Sequence, residues 1–171
     1  MLMTIRPATE DDLPAITAIY NEVIATSTAL YVEDPYSIED RGAWFAARRA
    51  AGYPVLVAYD GTGVLGLATF GDFRAYPGYR HTVEHSVHIR VDMRGKGLGT
   101  ALVSALFDPA RALGKHIMIA GVDAANEGSI RMHERLGFER GAVLREVGRK
   151  FGRWLDLMFM QKYLDAPGAP R

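Results

Sequence analysis

At 171 residues the chain fits one domain, long enough to bury roughly two-thirds of its unfolded surface. Lys plus Arg and Asp plus Glu each number 20, so no overall field gathers nucleic acid or an anionic membrane, and any basic site must be local. There is no cysteine, which excludes disulfides, thiolate nucleophiles and cysteine metal sites and suits a reducing compartment, the cytoplasm by default.

The opening Met1-Leu2-Met3-Thr4-Ile5-Arg6 holds no apolar leader core, and no apolar run approaches the roughly 18 residues of a membrane span, so a soluble protein is expected. Thr4 to Arg6 reads as a short strand. Leu13, Ile16, Ile19, Tyr20 and Val23 then recur at helical spacing, with Pro14 in the first turn and Asp11 or Asp12 as cap. Ala25 to Tyr36 has no clear period. Ser37 followed by Asp40 resembles a capping box for a second helix ending near Gly52, anchored to the sheet by Trp44 and Phe45. Pro54 to Tyr59 and Val64 to Phe70 predict antiparallel strands joined by the hairpin turn Asp60-Gly61-Thr62-Gly63.

Gly71 to His81 is rich in Gly, Pro and aromatics, a candidate substrate lip. A strand from Thr82 to Val91, a helix from about Leu98 to Leu113 stopped by Gly114, and a strand from His116 to Val122 make a right-handed parallel β-α-β unit. Pro109 lies inside that helix, where it removes a hydrogen bond and clashes one turn back, so a kink or two helical pieces are expected, the second capped by Asp108. A helix from Ser129 to Leu136 ends at Gly137. Strands from Phe138 to Leu144 and Trp154 to Tyr163 complete a mixed sheet. The domain is placed at residues 1–164, with a frayed tail from Asp165 to Arg171.

The stretch richest in chemistry is Arg94-Gly95-Lys96-Gly97-Leu98-Gly99. Its alternate glycines let backbone N–H groups approach a ligand closely, and the helix expected from Leu98 puts its positive end beside them, which makes an anion site for phosphate. A dinucleotide fingerprint would need glycine at Thr100, and a Walker loop would need Ser or Thr where Gly97 follows Lys96; both fail. The remaining pattern, R-x-x-G-x-G, resembles the pyrophosphate loop of the GCN5-related N-acetyltransferases. A second segment, Asn126-Glu127-Gly128-Ser129 through His133 to Leu136-Gly137-Phe138, is similar to the family's Asn-x-x-Ser helix ending in Leu-Gly-Phe. Gly52 to Val57, Thr82 to Val87 and Lys150 to Asp156 further resemble the branch acting on phosphinothricin and methionine sulfoximine.

That resemblance implies an α/β fold with a mixed central sheet of about six to seven strands flanked by helices, its central strands splayed to bind acetyl-CoA. It also implies direct transfer of the acetyl group to the α-amino group of a small amino acid or analogue (phosphinothricin, methionine sulfoximine or methionine sulfone) in a homodimer. No cysteine exists to carry a covalent acetyl group. Arg94, Lys96 and the N–H groups of Gly95, Gly97, Leu98, Gly99 and Thr100 would hold the diphosphate. Val87, His88 and Ile89 would present main chain to the pantetheine, with a donor near Val87 or His88 for the oxyanion. Asn126 would reach the pantetheine or the acetyl end, and Ser129 would join it in binding the cofactor.

Glu84, on a Val- and Ile-rich strand, matches the branch's general base, and desolvation would raise its pKa toward a useful range; the alternative is a strand-end ion pair with Arg74 or Arg90. His133 falls where many members place the tyrosine taken to protonate the thiolate. An imidazolium at about 6.5 is a stronger acid than a thiol at about 8.5, whereas the structural alternative is a hydrogen-bonded histidine on a half-buried helix face. For the amino-acid substrate, Arg74 supplies a cation to the carboxylate, with Tyr31, Phe73, Ala75, Thr82, Val83, Glu84, His85 and Lys150 around it. Tyr31 stands where relatives often carry tryptophan. No metal is expected: His85 and His88, three apart on a strand, face opposite sides. The basic cluster Arg145, Arg149, Lys150 and Arg153 reads as a solvated edge, and Ser86 lacks a triad. A different acetyltransferase on the same fold, or a CoA-binding module without turnover, are the rival readings.

Overall fold

A computed structural model describes residues 3–165, so the tail expected over 165–171 lies, apart from Asp165, outside the described residues. Alternating and fully apolar runs give seven strands among the described residues: β1 (Thr4–Pro7), β2 (Val55–Tyr59), β3 (Val64–Asp72), β4 (Thr82–Ile89), β5 (Ile117–Asp123), β6 (Glu139–Lys150) and β7 (Arg153–Tyr163). They form one sheet in the order β1-β2-β3-β4-β5-β7-β6. Every neighbouring pair is antiparallel except β4 and β5, the parallel pair expected of the β-α-β unit.

Helices cover both faces. On one, α1 (Leu13–Thr26) and α2 (Ile38–Ala50) bury Ile16, Ile19, Tyr20 and Phe45 against Val55, Val57 and Leu67. On the other, α3 (Leu98–Ala105), α4 (Phe107–Ala112) and α5 (Glu127–Arg135) bury Leu102, Leu106 and Ile130 against Ala68, Phe70, Val83 and Met118. Trp44 stays half-buried, edge-on to Tyr20.

Several boundaries differ from expectation for local reasons. Asp12 does occupy the N-cap of α1, yet its carboxylate turns back to accept from the Thr9 N–H at 2.8 Å and from the Arg6 guanidinium at 2.7 and 2.9 Å. Ser37 and Asp40 form the expected capping box of α2. The long central helix breaks at Leu106: Pro109 has no N–H for the carbonyl one turn back, and the Leu106 N–H bonds Val103 instead. Asp108 does not cap the second piece; it pairs with Arg111 at 2.8 Å. β6 runs six residues beyond Leu144, because two register shifts against β7 break the period-two pattern that sequence reading needs. The hairpin turns on Phe151 and Gly152, both at positive φ.

Phe70 is fully buried beside Tyr53, with ring centroids 5.3 Å apart. Phe70→Ala is expected to cost about 3–5 kcal/mol of stability, measured by urea unfolding, with secondary structure retained.

Candidate functional site

The site is built by a failure of pairing. β4 and β5 are joined only from Thr82–Ile117 to His85–Ala120, although β4 continues to Ile89 and β5 to Asp123. Beyond that point β4 stays zipped to β3 and β5 to β7, so the two strands part and the facing edge of Ser86 to Ile89 has no strand partner among the described residues. This is the splay expected of the central strands. A cleft of 460 Å³ opens there, walled by Val87, His88 and Ile89 on one side and by Asn126, Ser129 and Met132 of the α5 region on the other. A smaller cavity of 170 Å³ adjoins it and is lined by Glu84, His85, Gly121, Asp123 and His133. The two share Ala29, Val87, His88, Asn126 and Ser129.

The glycine loop forms the mouth of the larger cleft, where Gly95, Gly97, Leu98, Gly99 and Thr100 all line it. Gly97 caps α3 at φ 81°, a conformation that disfavours a side chain, and a Cβ on Gly99 would press on Met132 Sδ at 3.0 Å. Bare amides at a helix N-terminus fit a phosphate. The cations do not stand as the sequence suggested. Arg94 lines the cleft, but its Nε donates to the Ile89 carbonyl at 3.1 Å and its Nη2 to both oxygens of Glu22 at 3.0 and 3.2 Å. Lys96 donates to the Asp92 carbonyl at 3.0 Å and lies outside the cleft lining.

Glu84 sits on the α1 face of the sheet above Gly121, where a Cβ would meet its Oε1 at 2.9 Å. Burial raises its carboxyl above the usual range and the charge of Arg74 opposes that shift. Arg74 is exposed on the lip, 5.3 Å from the Phe73 ring, and Phe73 packs edge-on against Tyr79 and Phe159. Ala75 is exposed on the same lip and Thr82 is half-buried at the start of β4.

Two expected substrate contacts, Val83 and Lys150, are corrected. Val83 is wholly inside the core beneath the sheet, because the alternation of β4 turns it away from Glu84. Tyr31 bonds the Asp156 carbonyl at 3.3 Å with its ring over Gly148. Lys150, only 1% exposed, donates to the carbonyls of Ser27 at 2.6 Å and Leu30 at 2.8 Å, so it clamps the loop after α1 instead of presenting a charge to a ligand. Burial lowers its pKa.

His85 and His133 also differ from expectation. They are 7% and 2% exposed, stack at 27°, and bring their Nε2 atoms to 3.0 Å. His133 Nδ1 lies 2.7 Å from the Ser129 carbonyl. Burial lowers both pKa values, that of His85 to about 3 with further depression from His133 and His88, which favours the neutral form of both rings over the imidazolium that the sequence reading gave His133. His88 points to the other face, 4.9 Å from the Tyr20 ring, as strand alternation requires; burial and Arg94 lower it to about 4. Asn126 lines both spaces, and its Oδ1 caps α5 by accepting from the Ser129 N–H at 3.1 Å. Among the described residues no group of three or more His, Cys, Asp or Glu could hold a metal, and no helix is long and apolar enough to cross a membrane.

Sequence reasoning missed Asp123, Glu22 and Thr28. Thr28 bonds Asp123 across 95 residues of chain and Glu22 meets Arg94 across 72, pairings that no local motif announces.

A mixed sheet parted at its parallel pair, with a glycine-capped helix at the mouth of the gap, is the architecture of an acyl-transferring α/β enzyme. The sequence profile of the acetyltransferase (GNAT) family matches residues 16–138. A Pseudomonas paraeruginosa protein named L-methionine sulfoximine/L-methionine sulfone acetyltransferase is 52% identical over 166 residues, covering 96% of each chain. Among solved structures, yncA from Salmonella typhimurium, an acetyltransferase described with its cofactor acetyl-CoA, superposes with TM-score 0.94 at 48% identity over 99% of this chain and 98% of that one. A GNAT superfamily phosphinothricin acetyltransferase from Sinorhizobium meliloti in complex with AcCoA gives TM-score 0.94 at 40% identity over 100% and 93%. This chain belongs to the acetyltransferase (GNAT) family and is an acyltransferase.

Two neutral buried histidines make stability fall with acid. Below about pH 6.5 the unfolded chain protonates both imidazoles and the native protein neither, so acidification from pH 7 to 5 is expected to cost about 2 kcal/mol each for His85 and His88. Glu84, shifted upward, works in the opposite sense. Urea midpoints against pH measure the slope, and His88→Gln should remove the share of one imidazole.

Proposed function

We propose that this chain moves the acetyl group of acetyl-CoA to the α-amino group of a small amino acid of the methionine sulfoximine, methionine sulfone or phosphinothricin type. The observation that carries the proposal is the parted edge of β4. It sets the glycine-capped mouth, the open main chain and the Glu84 carboxylate along one continuous space. The names of relatives 52% and 40% identical supply the substrate class.

Acetyl-CoA supplies an activated thioester carbonyl when bound. The N–H groups of Gly97 to Thr100 hold its diphosphate, and the free edge from Val87 to Ile89 meets the pantetheine amides with groups that a neighbouring strand would otherwise take. Glu84 accepts the amine proton, directly or through water, as a carboxylate whose raised pKa lies closer to neutrality than an ordinary one. Arg74, on the lip, orients the substrate carboxylate. Lys150 holds the Ser27 to Leu30 loop, which brings Ala29 and Leu30 to the wall of the small cavity.

The acetyltransferase domain spans residues 1–164 and acts in the cytoplasm as a homodimer. The β6–β7 hairpin supports the dimer, since it leaves Val143 and Val147 on the edge strand β6, Phe151 in the turn and Trp154 at the start of β7 at 43–59% exposure. Thiol release from acetyl-CoA against amino acids, their sulfone and sulfoximine analogues, polyamines and peptides tests the substrate class; transfer confined to polyamines or peptides would overturn it. Glu84→Gln is expected to lower turnover by about 10²–10⁴-fold with acetyl-CoA affinity unchanged, and wild-type turnover should rise with pH as the carboxyl ionises. Full turnover in the variant would remove Glu84 from the mechanism.

A further inference from the structure

β5 carries one glycine, Gly121, which is exposed between the buried Ala120 and Val122 of an otherwise apolar strand. A glycine inside a strand weakens the sheet and often marks a close approach by another group. Gly121 does not adopt positive φ, so the backbone does not require it. Its surroundings do. A Cβ there would lie 3.5 Å from Leu157 Cδ1 and 3.8 Å from Phe159 Cε1, which are ordinary packing distances, but 2.9 Å from Glu84 Oε1. Of these neighbours only the carboxylate conflicts with a side chain. Glu84 stands across the parallel seam, paired with Ile119, and the ladder ends at His85 and Ala120, one residue short of Gly121. The carboxylate therefore lies across the seam against bare backbone, and both residues line the 170 Å³ cavity.

We infer that Gly121 is the seat of the Glu84 carboxylate, a positioning residue that lets the base reach across the parted seam into the small cavity, an inference that rests on the acetyl-transfer reading above. The missing side chain sets both the place and the surroundings of the base. With a methyl group at this position Oε1 would have to retreat by about 0.5 Å or more to reach contact distance, and the methyl would stand between the carboxylate and β5. Displacements of that size are costly at a reacting centre. They also lift the carboxyl out of the burial that raises it. The charged and titratable groups around it are Arg74 on the lip, His88 on the same face of β4 and Asp123 on β5. Arg48 of α2 lies over Gly71, the β3 residue paired with Glu84, and the His85–His133 pair borders the cavity from the other side. The loop after α1 gives Ala29 and Leu30 to the cavity wall, and β7 gives Leu157 and Phe159 beside Gly121, none of which titrates. A methyl at position 121 replaces none of these groups, so a change in pH dependence reports the carboxylate itself.

Gly121→Ala is expected to unfold at a urea concentration equal to or above that of wild type, because alanine suits a strand better than glycine and the conflicting atom is the free end of a flexible side chain. Its kcat is expected to fall by about 10–100-fold, with the acetyl-CoA dissociation constant within about twofold of wild type. The acid limb of its kcat profile should move to lower pH, since a carboxyl lifted toward water ionises more readily. In a Glu84→Gln background the same alanine should cost no further turnover, because no base remains to be displaced. Wild-type kcat with an unmoved acid limb overturns the seat while leaving acetyl transfer intact. So does an alanine that costs the same factor with and without Glu84, or one that prevents folding, which would make the glycine a packing requirement. Absence of amine acetylation by the wild-type protein overturns both readings.

Discussion

The structure depends on one unequal contest among strands. β4 holds seven register pairs with β3, and β5 holds seven with β7, but the two hold only four with each other. Each strand is thus fixed on its outer side, and the parallel seam between them is the weakest line in the sheet. Where the strands separate, main-chain groups face a gap, and such groups demand partners. A ligand that carries amides satisfies them without distorting either strand. The gap also lets α5 and the loop after α1 approach from opposite faces, so both lining walls follow from the same failure of pairing.

The loop after α1 has no regular hydrogen bonds of its own to hold it, and a buried cation does the work instead. The Lys150 ammonium sits against two carbonyls and 4.9 Å from the Phe151 ring, while the Phe151 N–H donates to Glu33 at 2.9 Å. Charge-assisted bonds of this kind are stronger than neutral ones and cost a great deal when one partner is lost. They join a loop at residues 27–33 to a hairpin more than 110 residues later, so the shape of the small cavity is set partly by the hairpin whose outer side is apolar and exposed.

The elements with a strong local pattern were legible in the chain. The capping box at Ser37, the hairpin at Asp60, the parallel unit and the break forced by Pro109 each follow from a few neighbouring residues. Glycine spacing likewise pointed to the anion cradle. The positions that local pattern left open have their causes far away in sequence. Whether Lys150 meets a ligand or a loop depends on Ser27 and Leu30; whether Arg94 is free depends on Glu22; whether His133 is charged depends on how deeply Phe138 and His85 enclose it. The length of β6 was hidden differently, by register shifts that scramble alternation within the strand itself.

Strand alternation then places the chemistry. Glu84 and His88 lie on the α1 face of β4 and His85 on the α5 face, so the carboxylate and the His85–His133 pair belong to opposite sides of one strand. In an intact sheet the hydrogen-bonded seam would seal the two sides from each other. Here the seam opens one residue beyond His85, and Glu84, His85 and Ser129 border the same small space. The environments differ: burial raises the half-buried Glu84 carboxyl while the charge of Arg74 opposes that shift, whereas burial lowers both imidazoles and so favours their neutral forms. A charged histidine in that position would have to be created at every turnover against its desolvation. A neutral pair that shares one hydrogen bond between its rings avoids that cost.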